Sequence, residues 1–272
     1  PDHSAVAVVH NNLGAFYREI GRYPESEKHL KRSLASRKKH GGPEHESYLW
    51  TLNHLRLLYE VTDRAAEAAV VRKEQLAASD SFNRRAQNLR NENDFVPAIG
   101  LLRRRLVILE KVHGEIHADV ASTLADLNRN YTDIGQLSNA EAVARRALSV
   151  EEKRLGPDHA EVAVHVNNLG HVLRAQGREV EAEPLFKRSL AIAEKAYGPD
   201  HPHVASVLHS LAYLYRNQGR FRKAEPLYRR SLEIREKALG PSHPWVAQSL
   251  INLGELSSHL GNNEEFFKLT TR

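Results

Sequence analysis

Sixteen histidines are the side chains of this 272-residue sequence best suited to chemistry, as metal ligands or as acid–base groups. Six of them, His3, His45, His117, His159, His201 and His243, recur at spacings of 42, 72, 42, 42 and 42 residues. Most close a Gly-Pro-x-His stretch: Gly42-Pro-Glu-His45, Gly156-Pro-Asp-His159, Gly198-Pro-Asp-His201 and Gly240-Pro-Ser-His243, with Gly114-Glu-Ile-His117 as a degenerate copy. Equivalent residues on packed helices lie about 8–10 Å apart, whereas the ligands of one ion must all come within about 2.1 Å of it. These histidines are therefore expected to be structural. His201 with His203 and His113 with His117 are close pairs without a third ligand in view. There is no cysteine, so disulfides, thiolate metal sites and cysteine nucleophiles are excluded by count. No Gly-rich phosphate loop, paired-histidine zinc motif or nucleophile elbow occurs. The expectation is a protein that is not an enzyme and has no catalytic residue, metal or cofactor.

Charge offers a second chemistry. Lys and Arg number 39 against 34 Asp and Glu, a net charge of +5. A dibasic pair recurs at one register: Lys31-Arg32, Arg103-Arg104, Arg145-Arg146, Lys187-Arg188 and Arg229-Arg230. Stacked, these could form a stripe for nucleic acid or an anionic membrane. However, Glu27, Glu141, Glu183 and Glu225 stand four residues before the first member of four pairs, the favourable orientation for an ion pair along a helix. Only Arg103-Arg104-Arg105 lacks such a partner, so a solvated outer face is the better reading. No apolar run approaches the roughly 20 residues of a membrane-spanning helix.

The elements that carry these residues follow from the 42-residue period. Within each unit two apolar-periodic stretches flank a glycine (Gly21, Gly135, Gly177, Gly219, Gly261), which predicts helix, tight turn, helix. The first helix repeats a leucine (Leu13, Leu55, Leu127, Leu169, Leu211, Leu253) and, four residues on, Tyr17, Tyr59, Tyr131, Leu173 or Tyr215, making one buried stripe. Gly14, Gly170 and Gly254 beside that leucine would let the partner helix approach closely. In the connector, glycine is expected to stop the second helix in the left-handed conformation, and Asp158, Asp200 or Ser242 to cap the next helix. Pro202 and Pro244 suit a first turn, while Pro184 and Pro226 fall inside second helices and predict a slight bend.

The units run 1–42, 43–80, 81–113, 114–155, 156–197, 198–239 and 240–272, as a single repeat array over 1–272. The third lacks the connector and is expected to begin a short first helix near Phe82. The last carries only a stub of second helix, Glu264 to Arg272. Because the chain opens inside a repeat and has no methionine, it is expected to be a piece of a longer protein or an edited sequence.

Val166-Asn-Asn-Leu-Gly170, Glu181-Ala-Glu-Pro-Leu-Phe-Lys-Arg-Ser-Leu190 and Leu155-Gly-Pro-Asp-His159 resemble tetratricopeptide repeats of the kinesin light chain type, whose unit has 42 residues. The resemblance spans nearly the whole chain. It implies an all-α, right-handed α-solenoid of stacked antiparallel helix hairpins, with the first helices lining a concave groove. On those helices, residues two before, two after and five after the repeated leucine share a face. The first row gives Asn11, Asn53, Asn83, Asn167 and His209, broken by Ala125 and Ile251. The second includes Arg129, His171 and Tyr213, with Glu255 at its end; the third includes Arg18, Arg90, Arg174 and Arg216, with Glu60 among them. An amide can both donate to and accept from an extended backbone, and arginine can pair carboxylates bidentately. In kinesin light chains the equivalent Asn and Arg positions contact acidic, aromatic-containing cargo peptides, and the resemblance carries that role onto Asn11, Asn53, Asn167, Arg18, Arg174 and Arg216. The competing reading is that the asparagines bond to the adjacent repeat and the arginines are solvated. Trp50, one turn before Asn53, is either a ligand anchor or filling for the junction with the first unit.

The expected function is a protein-interaction scaffold or adaptor taking an extended, acidic peptide in the groove, with no small-molecule substrate. The alternatives are a regulatory or sensor module of a larger bacterial enzyme or signalling protein, and nucleic-acid or anionic-membrane binding through the outer face. End-to-end self-association and a cytoplasmic location complete the expectations.

Overall fold

The structure is a computed structural model and describes residues 3–42 and 44–262. Among these residues there are twelve helices and no strand. The chain divides into two compact units, 1–115 and 116–272. The expected stub at 264–272 lies outside the described residues.

The first unit holds α1 (His3–Glu19), α2 (Tyr23–Gly41), α3 (Glu46–Val61), α4 (Ala65–Asn91) and α5 (Phe95–His113). Consecutive helices pack against each other, and α1 also touches α3. Leu30, Tyr48, Leu52, Leu58, Phe82 and Leu102 are fully buried between them. The second unit holds α6 (Ala118–Asp133), α7 (Leu137–Leu155), α8 (Ala160–Ala175), α9 (Glu179–Tyr197), α10 (Pro202–Asn217), α11 (Phe221–Leu239) and α12 (Pro244–His259). Here α8 touches α6 and α10 as well as its chain neighbours. A continuous core runs through Val166, Leu169, Leu173, Phe186, Leu208, Leu211, Tyr228 and Leu253, so the repeated leucine stripe is the buried one. Gly170 marks a close crossing: a Cβ there would lie 2.8 Å from the Phe186 ring.

The short unit departs from expectation. No helix begins near Phe82, because α4 runs unbroken for 27 residues from Ala65 to Asn91. The sequence between contains neither glycine nor proline, and Ala78, Ser79, Phe82 and Ala86 form one buried stripe through the expected break. The left-handed position of the inner turn explains the missing glycines of this region: Gly21, Gly135, Gly177, Gly219 and Gly261 have φ near +75°, and Asp63 (φ 54°) and Asn93 (φ 62°) take the same place. Asp and Asn tolerate that region better than other side chains. The 30 residues from 63 to 93, against 42 from 93 to 135, place the shortening inside α4.

Connector chemistry also differs from expectation. The glycines there have positive φ but ψ of 157–172°, as at Gly156 (89°, 157°) and Gly114 (85°, 172°), an extended region that essentially only glycine occupies rather than the left-handed helical one. The cap is the histidine itself. His117, His159, His201 and His243 have extended ψ, and Nδ1 of each accepts the backbone N–H two residues on at 3.1–3.2 Å; His45 does so at 3.3 Å. Asp158, Asp200 and Ser242 stand one residue too early to reach these donors. Pro202 and Pro244 open their helices as expected, and α9 and α11 continue past Pro184 and Pro226.

Neighbouring hairpins are tied by a recurring ionic clamp. Glu183 of α9 accepts from Arg220 at 2.7 Å and from the Tyr215 hydroxyl at 2.9 Å, while Lys187 lies 2.7 Å away. Glu27 of α2 is held likewise by Arg64 and Tyr59. Where Leu173 replaces the tyrosine, Gln176 supplies the second donor to Glu141 at 2.9 Å beside Arg178. These donors hold all three carboxyls down to about 2: Arg64 foremost at Glu27, Gln176 at Glu141 and Lys187 at Glu183.

Candidate peptide-binding face

The rows singled out from the sequence lie on α1, α3, α6, α8 and α10, with Asn83 and Arg90 in the second half of α4. In the first unit Asn11 is 2% exposed and its Oδ1 accepts from the Thr51 hydroxyl of α3, a bond to the adjacent repeat. Asn53 accepts from Arg56 at 3.1 Å and Asn83 from Arg105 at 3.3 Å. Arg18 lies 3.3 Å from Nδ1 of His54, and Arg90 is half-buried. Trp50 is 55% exposed and meets the His54 ring edge-on.

The second unit brings more of the rows together. Tyr213 of α10 packs against two guanidinium groups, Arg174 of α8 and Arg216 of α10, each 4.6 Å from its ring centroid. Such contacts hold an arginine in place while leaving its N–H edge able to meet a carboxylate. Among the described residues no carboxylate pairs with Arg174, whereas Arg216 donates to Glu255 of α12 at 2.8 Å. Asn167 has a buried Oδ1 without a hydrogen-bond partner. Arg129 is exposed, 3.9 Å from Asp126, and with Thr132 of α6 and His171 of α8 it lines a cavity of about 170 Å³.

His171 and His209 belong to the framework below this face. His171 bonds the Ser210 hydroxyl at 3.0 Å and meets Phe186 edge-on; His209 lies 3.3 Å from the Asn252 amide and meets Tyr228 edge-on. Burial, helped by Arg174 at His171 and by Arg235 at His209, pushes both imidazoles down to about 4. Tyr213 is lowered from its ordinary value by Asn217 and by the two arginines.

The outer basic stripe is largely neutralised. Lys31, Arg145, Lys187 and Arg229 pair with Glu27, Glu141, Glu183 and Glu225 as their spacing predicts. Arg188 and Arg230 reach back to Glu152 and Glu194 of the preceding hairpin.

Family profiles described as Tetratricopeptide repeat match residues 5–70, 160–237 and 203–265, and a second profile of the same description matches 120–161. The chain belongs to the tetratricopeptide repeat family. No curated protein sequence matches it. Among solved structures it is similar to BtubC (BKLC) from P. vanneervenii, at 22% identity over 89% of each chain with a TM-score of 0.62. It is also similar to the apo form of RapI, at 18% identity over 70% of this chain and 67% of that one with a TM-score of 0.59. Kinesin light chain nearly identical TPR-like repeats from Podosopora anserina align over 88% of this tetratricopeptide chain and 99% of their own, at 21% identity and a TM-score of 0.48. The fold of this family is that of a protein-interaction scaffold, and no described helix is long and apolar enough to cross a membrane.

Proposed function

We propose that this tetratricopeptide protein binds an extended, acidic protein segment across α8 and α10. The observation that carries the reading is the Arg174–Tyr213–Arg216 cluster, which holds two guanidinium groups against one ring, one of them without a carboxylate partner among the described residues. A carboxylate of the ligand would meet Arg174, and the ligand's backbone would supply a donor to Asn167 Oδ1, an acceptor otherwise left unsatisfied. Glu255 holds Arg216 in the free protein and would be displaced by a second ligand carboxylate, which makes binding selective for segments with two acidic groups. Arg129 extends the cationic face toward α6. Asn11, Asn53 and Asn83 serve the framework in this reading, since each is already bonded within the first unit.

The test is a peptide-display selection against the protein and against an Asn167→Ala, Arg174→Ala, Arg216→Ala variant. Acidic peptides should be enriched by the first and not by the second. Enrichment that survives in the variant, or none at all, removes this reading.

A further inference from the structure

The unbroken helix α4 leaves a notch in the first unit. The left-handed turn residues on either side of it, Asp63 and Asn93, stand 30 positions apart, where Gly21 to Asp63 and Asn93 to Gly135 each span 42. No connector interrupts α4, and α3 and α5 flank it around a cavity of about 190 Å³. Leu49 and Trp50 of α3 and Val107 and Ile108 of α5 make apolar walls. Trp50 is 55% exposed and Val107 49%, so much of the indole surface is open to a ligand.

Two further features point to the chemistry of that ligand. Gln75 of α4 lines the cavity and is only 2% exposed, yet its Oε1 has no hydrogen-bond partner. Buried acceptors are rarely left so. A carboxamide carries a donor beside its acceptor, and the matching edge is that of adenine, whose exocyclic amine donates while a neighbouring ring nitrogen accepts. The rim carries Arg103, Arg104 and Lys111 against a single carboxylate among the lining residues, Glu46. Arg103 and Arg104 have no ion pair among the described residues, whereas Arg188 and Arg230, at the register of Arg104 in later units, reach Glu152 and Glu194. Uncompensated guanidinium groups suit phosphate, whose oxygens they can meet two at a time.

We propose that the notch is a site for a free adenine nucleotide such as ADP. The base would lie against Trp50 between the α3 and α5 walls with its amine edge turned to Gln75, and the diphosphate would meet Arg103, Arg104 and Lys111. Stacking on an aromatic side chain is strong but tolerates any base, so the preference for adenine would come from Gln75. An apolar cavity of about 150 Å³ accepts a benzene ring; this one is larger and open to solvent beside Trp50, which leaves room for the second ring and the ribose. The site lies wholly within the first compact unit and does not rest on the α8–α10 reading.

Trp50 is its own reporter, since in a Trp245→Phe background it is the sole tryptophan. That protein would be titrated with ADP, adenosine and pyrophosphate, following tryptophan emission excited beyond adenine absorption, with calorimetry for affinity. ADP should quench the emission and bind at least roughly tenfold more tightly than adenosine or pyrophosphate, because it alone engages the walls and the cations together. Gln75→Leu, which replaces an unsatisfied buried amide by an apolar group of similar size, should keep the helicity and weaken ADP binding at least roughly tenfold. Arg103→Glu with Arg104→Glu should abolish ADP binding while leaving helicity by circular dichroism intact. Pyrophosphate binding as tight as that of ADP would overturn the proposal, reducing the notch to a cationic rim. ADP affinity unchanged in Gln75→Leu, binding that survives the charge reversal, or a Trp50 silent to ADP would overturn it equally. A Trp50 response to a ten-residue oligoadenylate but not to ADP would overturn it in favour of single-stranded nucleic acid.

Discussion

Arg220 reaches back 37 residues to Glu183 and donates to its carboxylate at 2.7 Å, joining one hairpin of the second unit to the next. The pair is partly shielded, with the two side chains 32% and 18% exposed, and the Tyr215 ring lies 4.3 Å from the guanidinium. Removing either partner takes the charge-assisted bond from a partly shielded group, although Lys187 and the Tyr215 hydroxyl still hold Glu183 and Gln218 still accepts from Arg220. A double-mutant cycle of Glu183→Gln and Arg220→Ala, read by urea unfolding, should therefore give a coupling energy of about 1 kcal/mol, above that of an ordinary surface pair. A coupling near zero would make the recurrence of the Glu–Arg spacing incidental to stability.

Two acid transitions follow from the displaced protonation equilibria. His171 and His209 stand at about 4 in the fold against an ordinary 6.5, so between those values the unfolded chain binds protons that the folded one refuses. Stability should then fall as pH drops from about 6.5 to about 4, by up to roughly 3 kcal/mol per ring. The clamped Glu27, Glu141 and Glu183 act at lower pH: their stabilisation is complete above the ordinary carboxylate value and is lost as pH falls toward about 2. Urea midpoints measured from pH 8 to 3 should decline in the histidine window, and His171→Gln with His209→Gln should reduce that decline, the rest coming from His29, His54 and His165, which burial also lowers. An unchanged profile in the double variant would mean that these rings are not the groups responsible.

The connector histidines make a local prediction. His159→Ala removes the acceptor for the Glu161 N–H and should lower stability by about 1 kcal/mol, while His159→Asn restores an acceptor and should recover most of it. Asp158→Ala, the residue that cap statistics favour, should change little. Thermal unfolding of the three variants decides between them, and a larger loss at Asp158 would reinstate the aspartate as the cap.

What could be read in advance was whatever repeats. The 42-residue period located the hairpins, and the leucine stripe located the core, because a buried face must recur wherever the same packing recurs. The i, i+4 glutamates also paired as their spacing dictated. Three features escaped. Histidine is an unusual cap, so general preference pointed to the aspartate beside it. The inter-hairpin clamp was hidden because its Glu–Arg spacing of 37 residues matches no local rule, although the recurrence at 27 and 64, 141 and 178, and 183 and 220 was present in the sequence. The notch was invisible for a different reason: it arises from residues that are missing. Of the proposed peptide-contacting set, the sequence placed Arg174, Tyr213 and Arg216 on a common face, but it could not distinguish them from His171 and His209, which stand at neighbouring positions and turn into the framework. Only side-chain direction separates the two groups.

The continuity of α4 offers the sharpest contrast between sequence pattern and structure. Had a helix begun near Phe82, a proline at position 81 would occupy a first turn, where the lost N–H is harmless. Within an unbroken helix from Ala65 to Asn91 the same proline deletes a hydrogen bond and collides with the preceding turn. Ser81 also donates to Glu44 at 2.5 Å, a contact that Ser81→Ala removes without touching the backbone. Ser81→Pro should therefore destabilise the first unit by about 3 kcal/mol or more, well beyond Ser81→Ala, with loss of helicity around the notch reported by Trp50 emission. Equal stabilities for the two variants would mean that α4 is broken in solution at the place where the repeat pattern alone would put a helix start, and the notch between α3 and α5 would lose its floor.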